Sequence, residues 1–513
     1  ATAIERGHGE SMAFFLRGAV RHDKADYDGA EADLTTAIER GQDDAWVFFL
    51  RGASRHNKND YAEADADFTA AIERGRDDVD VYLLRGDARF NSADFAGAEA
   101  DYSAAIKRGW DEASVYFYRG RARFETADDA GAEEDYSAAI ERGRDDVEVY
   151  LRRGDARFNS ADFAGAEEDY AAAIERGRDD ALVYSYRGRA RYETGNHAGA
   201  EEDYTAAIER GQDDAGDYLR RGDARYYSDD AAGAESDYTA AIERGWDEAP
   251  VYYFRGRARA ASGDHAGAVA DYNAAIERGL DDGEVYYRRG IAQDKNSNPL
   301  GAEEDLTIAI ERGLDSDDTY LERGLVRYFN AGYDGAEADL TTAIERGDDR
   351  GNTYYFRALS RYFISDYAGA AADFTAAIER GVDDADIRSY LGLVLRLQER
   401  WLAAAESYRH AVELDPSRHL DWIGLAASAR MAGDDALWQE SIEQARPLVD
   451  WDDHYNAACF SSVAGEIDHA LDLLRQALQA QPELLDQTQN DPDLHWVRED
   501  PRFAQLIEEA GSG

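Results

Sequence analysis

Apolar and small side chains in this chain are spaced for helices, and the spacing returns in blocks. Val81, Tyr82, Arg85, Gly86, Ala88 and Arg89 recur at helical intervals, and after a short break Ala98, Tyr102, Ala105 and Ile106 do so again. The block is 34 residues long: Ile38, Ile72, Ile106, Ile140, Ile174, Ile208, Ile242, Ile276, Ile310, Ile344 and Ile378 share one register, and Val412 falls on the same beat. Nearly every one of these isoleucines sits in the string AIERG. A period of about 34 residues marks a helical hairpin stacked many times. One hairpin cannot bury its apolar face alone, so its neighbours bury it. The prediction is an antiparallel helix pair per repeat, from about residue 11 to about residue 418.

The punctuation fits that reading. Asp94 stands where the second helix needs an N-cap, its carboxylate able to accept orphan N–H groups. Gly109 follows the last helical residue, where a left-handed residue ends a helix at little cost. Asp111 is then expected to cap the next first helix. Gly86 and Ala98 are expected to let the two helices of a repeat approach closely.

These residues resemble the tetratricopeptide repeat, in the form common in bacterial proteins. Tyr82 and Gly86 of the first helix, and Ala98, Tyr102 and Ala105 of the second, fall on the signature spacing of that family, and the resemblance covers essentially the whole chain. It implies an all-α, right-handed α-solenoid (superhelix) of stacked antiparallel helix pairs, with the first helices lining a concave groove where ligands usually lie. There are departures: Arg85 stands where the family usually has leucine, and Arg108-Gly109 replaces a Leu-Asp-Pro-like ending, which occurs once, at Leu414-Asp415-Pro416. Residues 1–10 read as the remnant of a preceding repeat, 11–418 as about twelve regular repeats, 419–485 as two degenerate ones, and 486–513 as a C-terminal cap and tail. The stretch from Asn490 to Phe503 looks like the closing helix of bacterial proteins of this kind, and Gly511-Ser512-Gly513 like an appended tail. The opening in mid-repeat predicts a longer parent protein.

Composition narrows the function. A formal net charge of −51 disfavours nucleic acid and anionic membrane as direct partners. Positive charge is almost all arginine, the lysines being Lys24, Lys58, Lys107 and Lys295, which suits a salty habitat or a GC-rich genome. Cys459 is the only cysteine, so no intrachain disulfide framework exists. No apolar run is long enough to span a membrane and no signal peptide is visible, which favours a cytoplasmic location. Histidines such as His22, His56, His197, His265 and His454 lack metal-ligand spacing. No phosphate loop, nucleophile elbow or zinc motif appears, so no cofactor, metal or enzymatic activity is expected.

Two charge patterns remain. Arginines recur in register from Arg17 to Arg357, and aspartates in the second helices from Asp33 to Asp373, giving Arg85 with Asp101, Arg119 with Asp135, Arg153 with Asp169 and Arg187 with Asp203. Both change together in the next repeat, to Leu391 and Ser407, while the counterpart of Arg361 becomes Leu395. The joint switch points to one packing unit, a partly buried Arg–Asp pair. The second pattern has a doubled period: Asp87, Arg121, Asp155, Arg189, Asp223 and Arg257 alternate in sign at one first-helix position. Neighbouring positions alternate with it, including Phe117, Arg152, Tyr186, Arg220 and Tyr253. A ladder of inter-repeat salt bridges would explain the alternation, and so would a groove matched to an extended charged partner.

Many of the 32 tyrosines and 18 phenylalanines occupy core signature positions. Phe15, Phe49, Phe90, Phe117, Phe124, Phe158, Tyr192, Tyr226, Tyr253, Tyr287, Tyr328, Tyr355 and Tyr362 map instead to the groove stripe, where exposed aromatics beside charges anchor partners. The function these readings imply is a non-catalytic scaffold that binds an extended or helical protein segment, with basic or amphipathic segments favoured. The alternatives are a self-assembling fibrous protein, stacking end to end, and the regulatory or sensor region of a longer enzyme.

Overall fold

A computed structural model describes residues 2–511, with side chains from residue 9. Among the described residues every regular element is helical, thirty-one α-helices and three short 3-10 turns. The chain forms two compact halves, Ala1–Asp247 and Glu248–Gly513. Within each, helices pack as consecutive pairs, and the first and second helix of a repeat are called A and B below.

The repeat containing Val79–Asn91 (A) and Phe95–Lys107 (B), thirteen residues each, shows how the sequence builds the pair. Ala93 takes the left-handed conformation, φ +63°, and reverses the chain between the helices. Asp94 Oδ1 then accepts the Gly97 N–H at 3.0 Å, capping B. B ends at Gly109, φ +94°, where the Trp110 N–H reaches back to the Ala105 carbonyl at 3.2 Å and the Gly109 N–H to Ile106 at 2.9 Å. This is a Schellman-type closure that suits glycine. The A helix is capped by Asp78, whose Oδ1 accepts the Val81 N–H at 3.2 Å.

Asp111 does not cap its A helix, contrary to the reading from spacing. The N-cap there is Glu112, which makes no side-chain capping bond. Asp111 accepts the Tyr116 hydroxyl at 2.9 Å and Arg142 Nε at 2.6 Å instead. A carboxylate one residue too early for the cap is free to tie the turn to the next B helix. Arg142 is the arginine of AIERG, and it also lies 4.1 Å from the Tyr116 ring centroid. The equivalent Arg108 holds Asp77 and sits 4.1 Å from the Tyr82 ring.

Inside a pair the contact is close because one side has no side chain. A Cβ on Gly86 would lie 2.8 Å from Tyr102 Cε1. Ala98 and Ala105 are fully buried beside Tyr102, and burying a large side chain of this kind contributes about 1.5–3 kcal/mol.

Arginines hold the pairs to each other. Asp101 is buried and accepts from Arg85 Nε at 2.9 Å, from Arg85 Nη2 at 2.6 Å and from Arg89 Nη1 at 2.9 Å. The same two arginines reach the preceding B helix, Arg85 to Thr69 Oγ1 at 3.1 Å and Arg89 to Asp65 at 2.8 Å. Arg119 and Arg123 meet Asp135, Arg153 and Arg157 meet Asp169, and Arg187 and Arg191 meet Asp203 in the same way. In the second half Arg357 and Arg361 both bind Asp373. Where Leu391, Leu395 and Ser407 replace the set, a cavity of about 530 Å³ opens, walled by those three residues and by Ala368, Ala371 and His410 among others.

The two ends differ. One continuous helix runs Thr2–Asp23. Its Met12, Leu16 and Val20 are exposed. At the other end, pairs Leu425-bearing His419–Ala432 with Asp435–Ala445, and His454–Ala464 with Ile467–Ala480, precede the closing segment. That segment folds back over the last A helices: Asp493 pairs with buried Arg396 at 2.6 Å, and the Arg430 guanidinium lies 4.9 Å and 4.5 Å from the Trp438 and Trp496 rings. Pro501–Gly511 closes the end with Phe503 and Leu506 buried. Ser512 and Gly513 lie outside the described residues.

Replacing Arg153 by leucine removes two of the three arginine N–H groups on buried Asp169. The expected cost is about 2–4 kcal/mol in urea unfolding. Arg153→Leu combined with Asp169→Ser, the pair that Leu391 and Ser407 already form, should cost less than the single change. A single variant within about 0.5 kcal/mol of the parent would show that the network does not support the fold.

Candidate binding face

The A helices place a repeating set of side chains on one face, and the positions singled out by sequence fall into three groups. The aspartates of the alternating series are half-buried and engaged. Asp87, Asp155 and Asp223 accept the hydroxyls of Tyr102, Tyr170 and Tyr238 at 2.7, 3.0 and 2.8 Å. Burial raises the carboxyl pKa of Asp87 and Asp155 above the ordinary value, with the tyrosine hydrogen bond and a nearby cation opposing it.

The arginines of the series do something else. Arg121 lies 4.6 Å from the Phe90 ring of the preceding repeat and Arg189 lies 4.7 Å from Phe158. Arg257 lies 5.8 Å from the Tyr253 ring. Alternation therefore serves two local arrangements, a Tyr–Asp hydrogen bond and an Arg–aromatic stack. Arg152 and Arg220 are about two-fifths exposed and face Asp155 and Asp217 at 3.8 and 3.7 Å. Tyr186 packs on Tyr170 at 5.8 Å, Tyr253 on Tyr272 at 6.0 Å, and Tyr287 lies 5.6 Å from the Arg288 guanidinium.

Phe117 does not line an open groove: only 1% of it is exposed. Its ring packs 5.8 Å from Tyr136 and the Arg144 guanidinium covers it at 3.4 Å. Phe49 is buried for the same reason, against Phe68 and beneath Arg76 at 3.5 Å. An aromatic at this position is roofed whenever the turn after the B helix supplies an arginine.

Two features escaped the sequence reading. Ser185 donates to the buried carboxylate of Asp217 at 2.7 Å, tying two A helices. In the second half, Phe329, Phe363 and Leu397 stand exposed at intervals of one repeat, Phe329 by 74%, and Phe363 stacks on Tyr333 at 4.3 Å. The same position carries polar Asn91, Glu125 and Asn159 in the first half, with Tyr227 its exposed aromatic counterpart there, so the run of apolar residues in consecutive repeats was the available signal. Two turns before Phe329 on the same helix, Glu322 is half-buried and makes no hydrogen bond or ion pair among the described residues. Burial raises its pKa, Lys295 opposes the shift, and Asp294 and Asp318 add to it.

The profile of the tetratricopeptide repeat (TPR) family matches residues 51–113, 83–147, 151–215, 219–285 and 355–419, more than half of the chain. Among solved structures, YrrB, a TPR protein with an unusual peptide-binding site, is similar at 20% identity over 39% of this chain and 99% of its own, with a TM-score of 0.34. The C-terminal part of a TPR repeat-containing protein from Cytophaga hutchinsonii is 18% identical over 53% of this chain and 97% of its own, TM-score 0.35. The Cut9–Hcn1 assembly of the APC/C is 13% identical over 82% of this chain and 96% of its own, TM-score 0.33. No curated protein matches the chain by sequence.

The Tyr–Asp bond is open to test. Tyr170→Phe leaves Asp155 half-buried without its hydroxyl and should cost about 1–3 kcal/mol. Asp155→Asn keeps an acceptor and removes the charge, so at about pH 7 it should match or exceed the parent in urea unfolding. The folded pKa of Asp155 lies above the unfolded one, so stability falls as pH rises through that window. The advantage of the asparagine should therefore disappear at about pH 3, and an equal difference at both pH values would contradict the assignment.

Proposed function

The chain belongs to the tetratricopeptide repeat family, and from that premise we propose that it is a non-catalytic protein–protein interaction scaffold whose A-helix face holds an extended or helical segment of a partner. The observation that carries this reading is the patch around Glu322 in the second half. Phe329 and Phe363 expose large rings there, and contiguous exposed aromatics mark interaction surfaces. Glu322, two turns before Phe329 on the same helix, is desolvated and unpaired among the described residues, so a partner cation would restore what burial removed. Asp294 and Asp318 are its electrostatic neighbours and add to the local negative potential. The patch suits a basic or amphipathic segment that sets a lysine or arginine on Glu322 and apolar side chains on the rings. A net charge of −51 would speed the encounter, and that contribution would weaken with salt. YrrB, a TPR protein with a peptide-binding site, lends the reading a precedent of kind.

A second reading, self-association, has one observation in its favour. Leu16 and Val20 are exposed on the first A helix, whereas their counterparts one repeat later, Leu50 and Ser54, are buried. The exposed stripe is thus a face that stacking covers elsewhere. A second copy that lays its own first A helix on this stripe would cover it, as a two-fold dimer.

Fluorescence anisotropy with labelled basic amphipathic peptides and their charge-reversed counterparts tests the scaffold. The basic set should bind more tightly at low than at high ionic strength, and Glu322→Gln and Phe329→Ala should each weaken it by about tenfold. Affinity indifferent to salt and to both substitutions would defeat the proposal. For self-association, light scattering against concentration should show a dimer that Leu16→Glu returns to monomer, and a monomer at all concentrations rules the second reading out.

A further inference from the structure

The hydroxyl of the B-helix tyrosine meets two different fates in the first half, and the difference identifies a partner chemistry for the face described above. Tyr102, Tyr170 and Tyr238 donate to the carboxylates of Asp87, Asp155 and Asp223. In the intervening repeats that aspartate is replaced by Arg121 or Arg189, whose guanidinium lies over the preceding repeat's phenylalanine. Tyr136 and Tyr204 therefore lack the acceptor that their neighbours have. Tyr136 is fully buried, and its Oη is sealed from solvent with no hydrogen-bond partner. Tyr204, itself 1% exposed, borders a cavity of about 190 Å³ that Arg189 and Arg220 also wall. A liquid-water share is about 30 Å³, so the space exceeds what one or two waters fill.

Arg121 and Arg152 are the cationic neighbours of the Tyr136 hydroxyl, as Arg189 and Arg220 are of Tyr204. The acids nearby are engaged or peripheral: Asp155 and Asp223 accept tyrosine hydroxyls, Asp217 accepts from Ser185 and faces Arg220 at 3.7 Å, and Glu125 and Glu193 are exposed. Each site thus offers one O–H and two guanidinium groups. The chain itself shows which group completes such a site, since a carboxylate fills the same place in every other repeat. A lysine would face two arginines, and a neutral carbonyl would satisfy the hydroxyl without adding charge pairing to the guanidinium groups, which a carboxylate supplies.

We infer that Tyr136 with Arg121 and Arg152, and Tyr204 with Arg189 and Arg220, are two anchor sites for the carboxylate side chains, aspartate or glutamate, of an extended partner. This rests on the scaffold reading and refines it. The sites are two repeats apart, so acids of the partner recur in step with the doubled period. Arg152 and Arg220, about two-fifths exposed, are the side chains that turn to admit the carboxylate. The overall negative charge does not forbid this, because screening confines exposed charge to about 8 Å at physiological salt. The partner carries isolated acids within an otherwise neutral or basic segment.

Selection of a phage-displayed random peptide library on the whole chain, with the Tyr136→Phe/Tyr204→Phe double variant as counter-target, tests this. Clones kept by the parent and lost by the double variant should carry aspartate or glutamate, and Glu→Gln or Asp→Asn in them should cut affinity about tenfold or more. Captured clones that lack acids, or that bind both targets equally, overturn the inference and leave the scaffold standing. Capture of no clone by either target overturns both. The free protein gives an independent readout: Tyr136→Phe, which deletes an unsatisfied buried hydroxyl, should leave the melting temperature unchanged or raise it, whereas Tyr170→Phe lowers it. A drop of equal size in both would show that Tyr136 already has an acceptor, against the inference.

Discussion

A buried carboxylate that needs two arginines is the constraint on which the rest of this structure depends. Asp101 and its counterparts sit at the heart of each helix pair, where an unpaired charge would be costly. Arg85 satisfies the carboxylate in the two-pronged geometry that guanidinium favours, and Arg89 supplies a third donor. The same arginines also reach Thr69 and Asp65, so the polar core of this repeat is shared with the repeat before it. The coupling that stacked repeats usually draw from apolar contact is here partly ionic. Where the set is absent, at Leu391, Leu395 and Ser407, the helices remain but a 530 Å³ gap replaces the filling.

Outside that network, the sign alternation along the A helices separates repeats that are complete in themselves from repeats that are not. Asp87 and Tyr102 close a hydrogen bond inside one repeat, whereas Arg121 turns to Phe90 and leaves Tyr136 without an acceptor. The alternating positions take part in two unlike local arrangements, a Tyr–Asp hydrogen bond and an Arg–aromatic stack. The first half thus presents donors, while the second presents Glu322 with its aromatic ridge, and the two patches ask for different chemistry in whatever lies on them.

Helix positions and caps such as Asp94 and Gly109 were legible in residue order, because they depend on neighbours three or four residues apart, and the close contact at Gly86 was legible from the small residue recurring there. So was the kinship of Arg85 with Asp101, through their joint replacement at Leu391 and Ser407. What residue order did not disclose was which partner each group takes when several are in reach. Asp111 was one residue out of position for a cap and went to Tyr116 and Arg142. Phe117 carried the register of a groove residue but is covered by Arg144 from a turn.

The sequence by itself determined an all-helical chain of paired helices and its membership of a repeat family, since period, capping and small-residue placement are local and recur a dozen times. Tertiary structure alone decided exposure and completeness: that Arg89 shares the carboxylate of Asp101, that Phe329 is bare while Phe117 is roofed, that Asp493 returns to Arg396, and that Tyr136 has no acceptor. Each of these depends on atoms brought together from different elements, where a few ångströms separate a satisfied group from an open one. Period cannot report that distance, because equivalent residues in successive repeats share a register and not a neighbour.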